Sequence, residues 1–121
     1  MRSYTGPDGE THFEQMETEL APLEFIPGMP VMDVSVPAAT QAVVFARLRA
    51  GWYGDYHPTP RRQFVFTMAG EAEVTVIDGE THWMRPGAVW LTEDTTDKGY
   101  RTRVTSAGDW LIALVWLAGS T

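Results

Sequence analysis

Residues 51–70 read Gly51-Trp-Tyr-Gly-Asp-Tyr-His57-Pro-Thr59-Pro-Arg-Arg-Gln63-Phe-Val-Phe-Thr-Met-Ala-Gly70. Two glycines bound a stretch in which His57, Thr59 and Gln63 recur at short intervals, beside Trp52, Tyr53 and Tyr56. Outward from it, Gly and Pro interrupt the chain every few residues, so no window of ten residues keeps a helical period. What lies between the breakers is short and rich in Val, Thr and aromatics: Val31–Val36, Gln41–Arg49, Gln63–Met68, Ala72–Ile77, Thr81–Met84, Ala88–Thr92, Tyr100–Thr105 and Trp110–Leu117. Asp78-Gly79 between two such runs predicts a two-residue hairpin closed by a type I′ turn. About eight or more short antiparallel strands at near-regular spacing predict an all-β barrel or sandwich.

The segment Phe13–Leu20 fits a helix through Met16, Leu20 and Leu23, or a strand with Phe13, Gln15, Glu17 and Glu19 on one side. Pro22 and Pro27 follow closely and favour an extended or edge segment.

With 121 residues, folding buries about two-thirds of the chain's surface, which supports one core and one domain over 1–121. The absence of cysteine removes disulfides and thiolate chemistry together. The opening residues lack the apolar stretch of a signal peptide. The longest apolar run, Trp110–Ala118, is nine residues, short of the roughly 20 a membrane helix needs. A cytoplasmic protein is expected, with no membrane partner. The net charge is −7, and residues 1–24 hold six of the acids against one base, Arg2. Such a chain repels polyanions, so nucleic acid is not an expected partner.

The spacing Gly51-x5-His57-x-Thr59-x3-Gln63-x6-Gly70 resembles the first motif of the cupin family, G-x5-H-x-H-x3-E-x6-G. Every interval is kept, while two of the three metal-ligand positions are changed. Pro86-Gly87 stands where the second motif begins, and Tyr100 falls at the position of the fourth ligand, with Glu93 and Thr95 replacing that motif's inner Pro and Gly. The resemblance implies a single-domain cupin-type jelly-roll β-barrel over residues 42–117, preceded by an acidic extended segment, residues 1–30. The opening Asp8-Gly-Glu-Thr-His-Phe is also similar to the start of small single-domain bacterial cupins.

A family-type site of three His and one Glu would hold a transition metal. His57, Thr59, Gln63 and Tyr100 offer one good nitrogen and three weak oxygens, so no metal cofactor is expected, leaving open a weakly held divalent ion at His57 or a different site completed by His12 or His82. In a barrel alternate residues face the lumen, so these four should converge on one cavity. His57 has the chemistry of a general acid/base, Tyr100 of a proton donor to an oxyanion, and Gln63 of a group that orients a carbonyl or hydroxyl. Trp52, Tyr56 and Trp90 are expected to shape an aromatic pocket, with Thr59, Val65 and His82 as further lining. Arg61 either clamps a carboxylate or enolate at the mouth, or it or Arg62 lies in a solvated turn paired to Glu93 or Asp94.

The function expected is metal-independent proton transfer (isomerisation, cyclisation or dehydration) on a hydrophobic, carbonyl-bearing small molecule, in a chain that looks like the polyketide-cyclase cupins. The alternatives are a non-catalytic small-molecule-binding protein and a metal-dependent oxygenase or lyase with an altered ligand set. The resemblance also implies a homodimer, paired through edge strands or by the N-terminal segment crossing to a second copy.

Overall fold

The computed structural model describes residues 1–96 and 98–119. The short β-branched and aromatic runs become strands, and so do several polar stretches between them. β1 (Arg2–Thr5) and β2 (Thr11–Glu14) form an N-terminal hairpin, and β3 (Ala21–Leu23) and β4 (Met32–Val34) a second. β5 (Thr40–Leu48), β6 (Tyr53–His57), β7 (Gln63–Ala69), β8 (Ala72–Val76), β9 (Thr81–Met84), β10 (Val89–Thr92), β11 (Tyr100–Val104) and β12 (Trp110–Leu117) follow. No helix occurs among the described residues, so none is long and apolar enough to cross a membrane.

One sheet runs β2-β1-β10-β7-β12-β5, the other β6-β11-β8-β9, and β3-β4 stands apart as a two-stranded ribbon. Pairing is antiparallel except between β1 and β10, which run parallel. The core lies between the two large sheets: Val65, Trp90, Trp110 and Ile112 from one pack against Val74, Val76, Met84, Tyr100 and Val104 from the other. This is the all-β jelly-roll architecture expected. The period of two decides which residues enter that core. On β7, Gln63, Val65 and Thr67 are buried while Phe66 and Met68 are exposed. On β9, Met84 is buried and Trp83 faces outward at 47 % exposure.

The segment 13–20 forms no helix and supplies the end of edge strand β2, as the nearby prolines favoured. One local expectation changes. The Asp78-Gly79 hairpin closes over three residues. Gly79 N donates to Val76 O at 2.9 Å and Val76 N to Glu80 O at 3.1 Å, so Ile77 and Asp78 form the turn and Gly79 occupies the left-handed bulge position at φ 90°.

Candidate functional site

A cavity of about 110 Å³ opens between the two sheets. Leu48, Val65, Trp110, Ile112 and Leu114 make its apolar walls, and His57, Gln63, Tyr100 and Thr102 its polar face, with Trp52 and Trp90 beside them. The volume holds several waters or a few heavy atoms of a ligand.

His57 reaches this cavity through an irregularity in β6. Tyr100 pairs with His57 and Thr102 with Gly54, so β6 carries one residue more than β11 across that interval. The bulge reverses side-chain alternation, bringing both position 54 and position 57 to the cavity side. At Gly54 that leaves room for a ring: a Cβ there would meet the Trp52 indole at 2.5 Å. His57 Nδ1 lies 2.8 Å from the Asp55 carbonyl oxygen, an acceptor only, so Nδ1 carries the hydrogen. Nε2 is then the basic nitrogen of the neutral ring. The partner strand is held close by Gly99, at φ +70°, where a Cβ would collide with the His57 carbonyl.

Tyr100 sits deeper. Its ring lies 4.9 Å from that of His57 and 4.8 Å, edge to face, from that of Trp90. Burial pushes its phenol well above the ordinary value, the charge of Asp94 adds to the shift, and the Thr59 side chain offsets part of it. Tyr100 is therefore a protonated donor throughout the neutral range. Thr59, buried beneath the cavity, donates to the Arg61 carbonyl at 2.8 Å and lies 2.9 Å from the Thr92 hydroxyl. Gln63 Nε2 reaches Thr59 Oγ1 at 3.5 Å. Among the described residues Gln63 Oε1 has no hydrogen-bond partner, although the residue is only 5 % exposed. A buried acceptor left open costs about 1–3 kcal/mol, and the side chain that carries it is among those lining the cavity.

Asp94, which the sequence offered as an ion-pair partner of Arg61 or Arg62, lies buried instead. It follows Glu93, and the two neighbours face opposite ways. Glu93 turns out to Arg62 at 2.7 Å and to Arg2, whereas Asp94 is fully buried. Its carboxylate accepts from Ser3 Oγ at 2.6 Å and Thr11 Oγ1 at 3.0 Å, and its carbonyl accepts from Thr59 N at 3.0 Å. Trp90 Nε1 donates to the same Ser3 hydroxyl at 3.0 Å. Burial raises the Asp94 pKa, and the Ser3 bond, a bond to its own backbone, the Thr11 bond and the nearby His57 recover only part of the shift. Strands β1 and β2 thus brace a buried acid behind the Tyr100–His57 pair. The acid–hydroxyl contacts span more than 80 residues of chain, and no local pattern announces them.

No family model matches the sequence, and no curated protein matches it. Solved structures do match in shape. A cupin 2 conserved barrel domain protein from Salinispora arenicola superposes with a TM-score of 0.53 at 14% identity, over 87% of this chain and 81% of its own. The fold is that of the cupins. DMSP lyase DddQ from Ruegeria pomeroyi gives 0.53 at 19% identity, over 84% of this chain and 48% of its own. A sugar phosphate isomerase from a cupin superfamily, from Silicibacter pomeroyi, gives 0.51 at 19% identity, over 62% and 48%. The chain spans about half the length of the lyase and of the isomerase.

Within the cupin barrel, the four motif positions do converge: His57, Gln63 and Tyr100 line the cavity, and Thr59 lies directly beneath. Their chemistry does not fit a tightly held divalent metal. The Tyr100 phenol resists ionisation, Thr59 is engaged with Arg61 and Thr92, and Gln63 is a neutral amide. Among the described residues no group of three His, Asp or Glu stands together.

Trp52, Val65 and Trp90 line the cavity, but four residues expected there do not: Thr59, which lies beneath it, and Tyr56, Arg61 and His82. Tyr56, one residue before His57, falls on the opposite side of β6 and lies under Arg101, 5.7 Å from guanidinium to ring. Arg61 lies over the Trp116 indole at 3.8 Å. His82 shares a face with Val74, but β9 is an edge strand, and its ring packs on Phe13 at 4.6 Å. His12 is engaged with Asp8 at 2.8 Å.

Proposed function

We propose that this cupin-fold chain is an enzyme that moves a proton within a small, carbonyl-bearing molecule, without a resident metal. The observation that carries this reading is the meeting on one cavity of Gln63, whose buried Oε1 has no partner among the described residues, a protonated Tyr100 and the His57 ring. A cavity with an open acceptor, a donor and a base at one end and apolar walls elsewhere suits a ligand that is polar at one end.

In this reading the substrate carbonyl oxygen accepts from the Tyr100 hydroxyl, and a substrate hydroxyl donates to Gln63 Oε1. His57 Nε2 takes a proton from the carbon next to the carbonyl. The C–H electron pair becomes the carbon–carbon double bond of an enolate, whose negative oxygen Tyr100 stabilises. Return of the proton to the former carbonyl carbon, with the substrate hydroxyl proton passing to the former carbonyl oxygen as the hydroxyl-bearing carbon becomes the new carbonyl, completes an isomerisation. Its delivery to a departing β-hydroxyl completes a dehydration. Trp90, Trp110 and Leu114 make the inner walls apolar around buried Tyr100 and Gln63, while the exposed His57 stands at the open mouth. About 110 Å³ is well below the roughly 300–1,000 Å³ of drug-sized ligand sites, which favours a short substrate over a fused polyketide. An isomerase and a lyase share the fold, and cupin barrels are compatible with this class of chemistry.

Hydrogen–deuterium exchange reads the first step without knowledge of the product. A panel of short hydroxy-ketones and hydroxy-aldehydes is incubated with the protein in D₂O and followed by proton NMR. The expected result is enzyme-dependent exchange of an α-hydrogen that is lost in His57→Gln. Saturable binding of a panel member with no exchange would replace catalysis by a binding role.

A further inference from the structure

The Trp90 indole stands between the cavity and the N-terminal hairpin. It lines the cavity, and its ring meets that of Tyr100 edge to face at 4.8 Å, with the planes 73° apart. At its polar edge, Nε1 donates to Ser3 Oγ at 3.0 Å. An indole that borders a cavity lacks packing on that side, so the hydrogen bond at Nε1 decides its tilt.

That bond belongs to a directed chain. An indole N–H only donates, so Ser3 Oγ accepts there and keeps its single hydrogen for Asp94 Oδ1, 2.6 Å away. Thr11 Oγ1 donates to the other carboxylate oxygen at 3.0 Å. All four residues are buried, so bulk solvent does not compete for these positions. The main chain completes the bracket. Ser3 lies on β1 opposite Thr92 of β10, and Glu93 N donates to Ser3 O at 2.8 Å. Asp94 O accepts from Thr59 N at 3.0 Å, and Thr59 underlies Gln63. Asp94 therefore reaches Trp90 through Ser3 and Gln63 through Thr59.

We propose that Ser3 and Asp94 are positioning residues: the chain Trp90–Ser3–Asp94 holds the indole against which Tyr100 packs, and so sets where the Tyr100 hydroxyl stands at the polar end of the cavity. Neither residue is among those lining the cavity. In the proposed proton transfer, on which the catalytic consequence of this role rests, a displaced hydroxyl no longer meets the substrate carbonyl. Hairpin β1–β2, far from the motif in sequence, thus becomes a working part of the site.

Three substitutions test the chain. Ser3→Ala removes the link to Trp90. Thr11→Val, near-isosteric, removes only the other donor to Asp94. Asp94→Asn deletes the charge but keeps an acceptor for Ser3 and offers a donor to Thr11 Oγ1. Indole and tyrosine-ring signals are recorded by NMR on the protein without ligand, assigned with Trp90→Phe and Tyr100→Phe. In Ser3→Ala the Trp90 Nε1–H should exchange with D₂O markedly faster and the Tyr100 ring signals should move. Thr11→Val and Asp94→Asn should leave both close to wild type. With a substrate from the panel, kcat for α-hydrogen exchange should fall about tenfold or more in Ser3→Ala, as for a misplaced catalytic group, with KM little changed. Ser3→Cys, similar in size and a weak hydrogen-bonding partner, replaces Ser3→Ala if that variant does not fold.

Unmoved Tyr100 signals in the Ser3 variant, or equal disturbance by Thr11→Val, would overturn the positioning role, the second by showing general loosening of the hairpin. The ring signals need no substrate. If they move as expected while the wild type exchanges no member of the panel, the proposed reaction fails and the positioning of Tyr100 stands.

Discussion

His57 and Tyr100 occupy paired positions on β6 and β11, and their rings lie 4.9 Å apart. A base with one nitrogen committed to the Asp55 carbonyl and a phenol held protonated by burial therefore address the same cavity. The two rings have separate tasks in the proposed reaction, and substitutions separate them.

Replacing His57 by Gln removes the base while leaving a polar side chain at the cavity mouth. Exchange should fall by about 10²–10⁴-fold, the range a positioned general base supplies, while ligand affinity measured by calorimetry stays within a few-fold. Equal losses in affinity and rate would mean that His57 only binds.

Tyr100→Phe keeps the edge contact with Trp90 and deletes the donor. The rate should drop by about 10²–10³-fold, as when an oxyanion donor is lost, with little change in melting temperature. An unchanged rate would move the oxyanion partner elsewhere.

Asp94 and Glu93 should titrate stability with opposite signs. The native carboxyl of Asp94 is raised above its unfolded value, chiefly by burial. The folded state then binds more protons in the window just above the ordinary Asp range, and stability falls as pH rises through it. For Glu93, burial raises the carboxyl, but Arg2 and Arg62 outweigh it and the net shift is downward. Its contribution is present above the ordinary Glu range and is lost as pH falls through the folded value. Urea unfolding of the wild type against Asp94→Asn should show the wild type gaining relative stability as pH falls from 7. Against Glu93→Gln it should show the wild type losing its advantage. A pH-independent difference in the Asp94 pair would contradict the buried-acid assignment.

Gly99→Ala tests the closure of β6 on β11. A left-handed backbone at a non-glycine residue costs about 1–3 kcal/mol by itself, and the added methyl also collides with the His57 carbonyl. The melting temperature should fall and the cavity loosen, giving a lower exchange rate in the protein that remains folded. Full stability and activity in this variant would rule out the tight approach.

Metal analysis of purified protein should find well under one equivalent of iron, manganese, nickel or zinc. A stoichiometric metal that disappears in His57→Ala would overturn the metal-free mechanism.

Much of this architecture was written in local pattern. β7, β9 and β12 begin where the runs Gln63–Met68, Thr81–Met84 and Trp110–Leu117 begin, and the intervals between Gly51, His57, Thr59, Gln63 and Gly70 placed the polar end of the cavity. β6 is absent from the predicted strands because Gly51 and Gly54 interrupt the run, and only pairing with β11 makes it a strand. β1 was equally silent, since its parallel partner β10 lies nearly ninety residues away.

What the sequence determines alone is what depends on near neighbours: strand propensity, breaker positions, absence of thiols, and the spacing of His57, Thr59 and Gln63. Which rings face the cavity was decided by tertiary structure. A single bulge in β6 turned Tyr56 away and His57 in, and edge placement carried His82 off to Phe13. The burial of Asp94 was decided in the same way, because a carboxylate can leave water only where Ser3 and Thr11, brought from the far end of the chain, supply hydrogen bonds in its place.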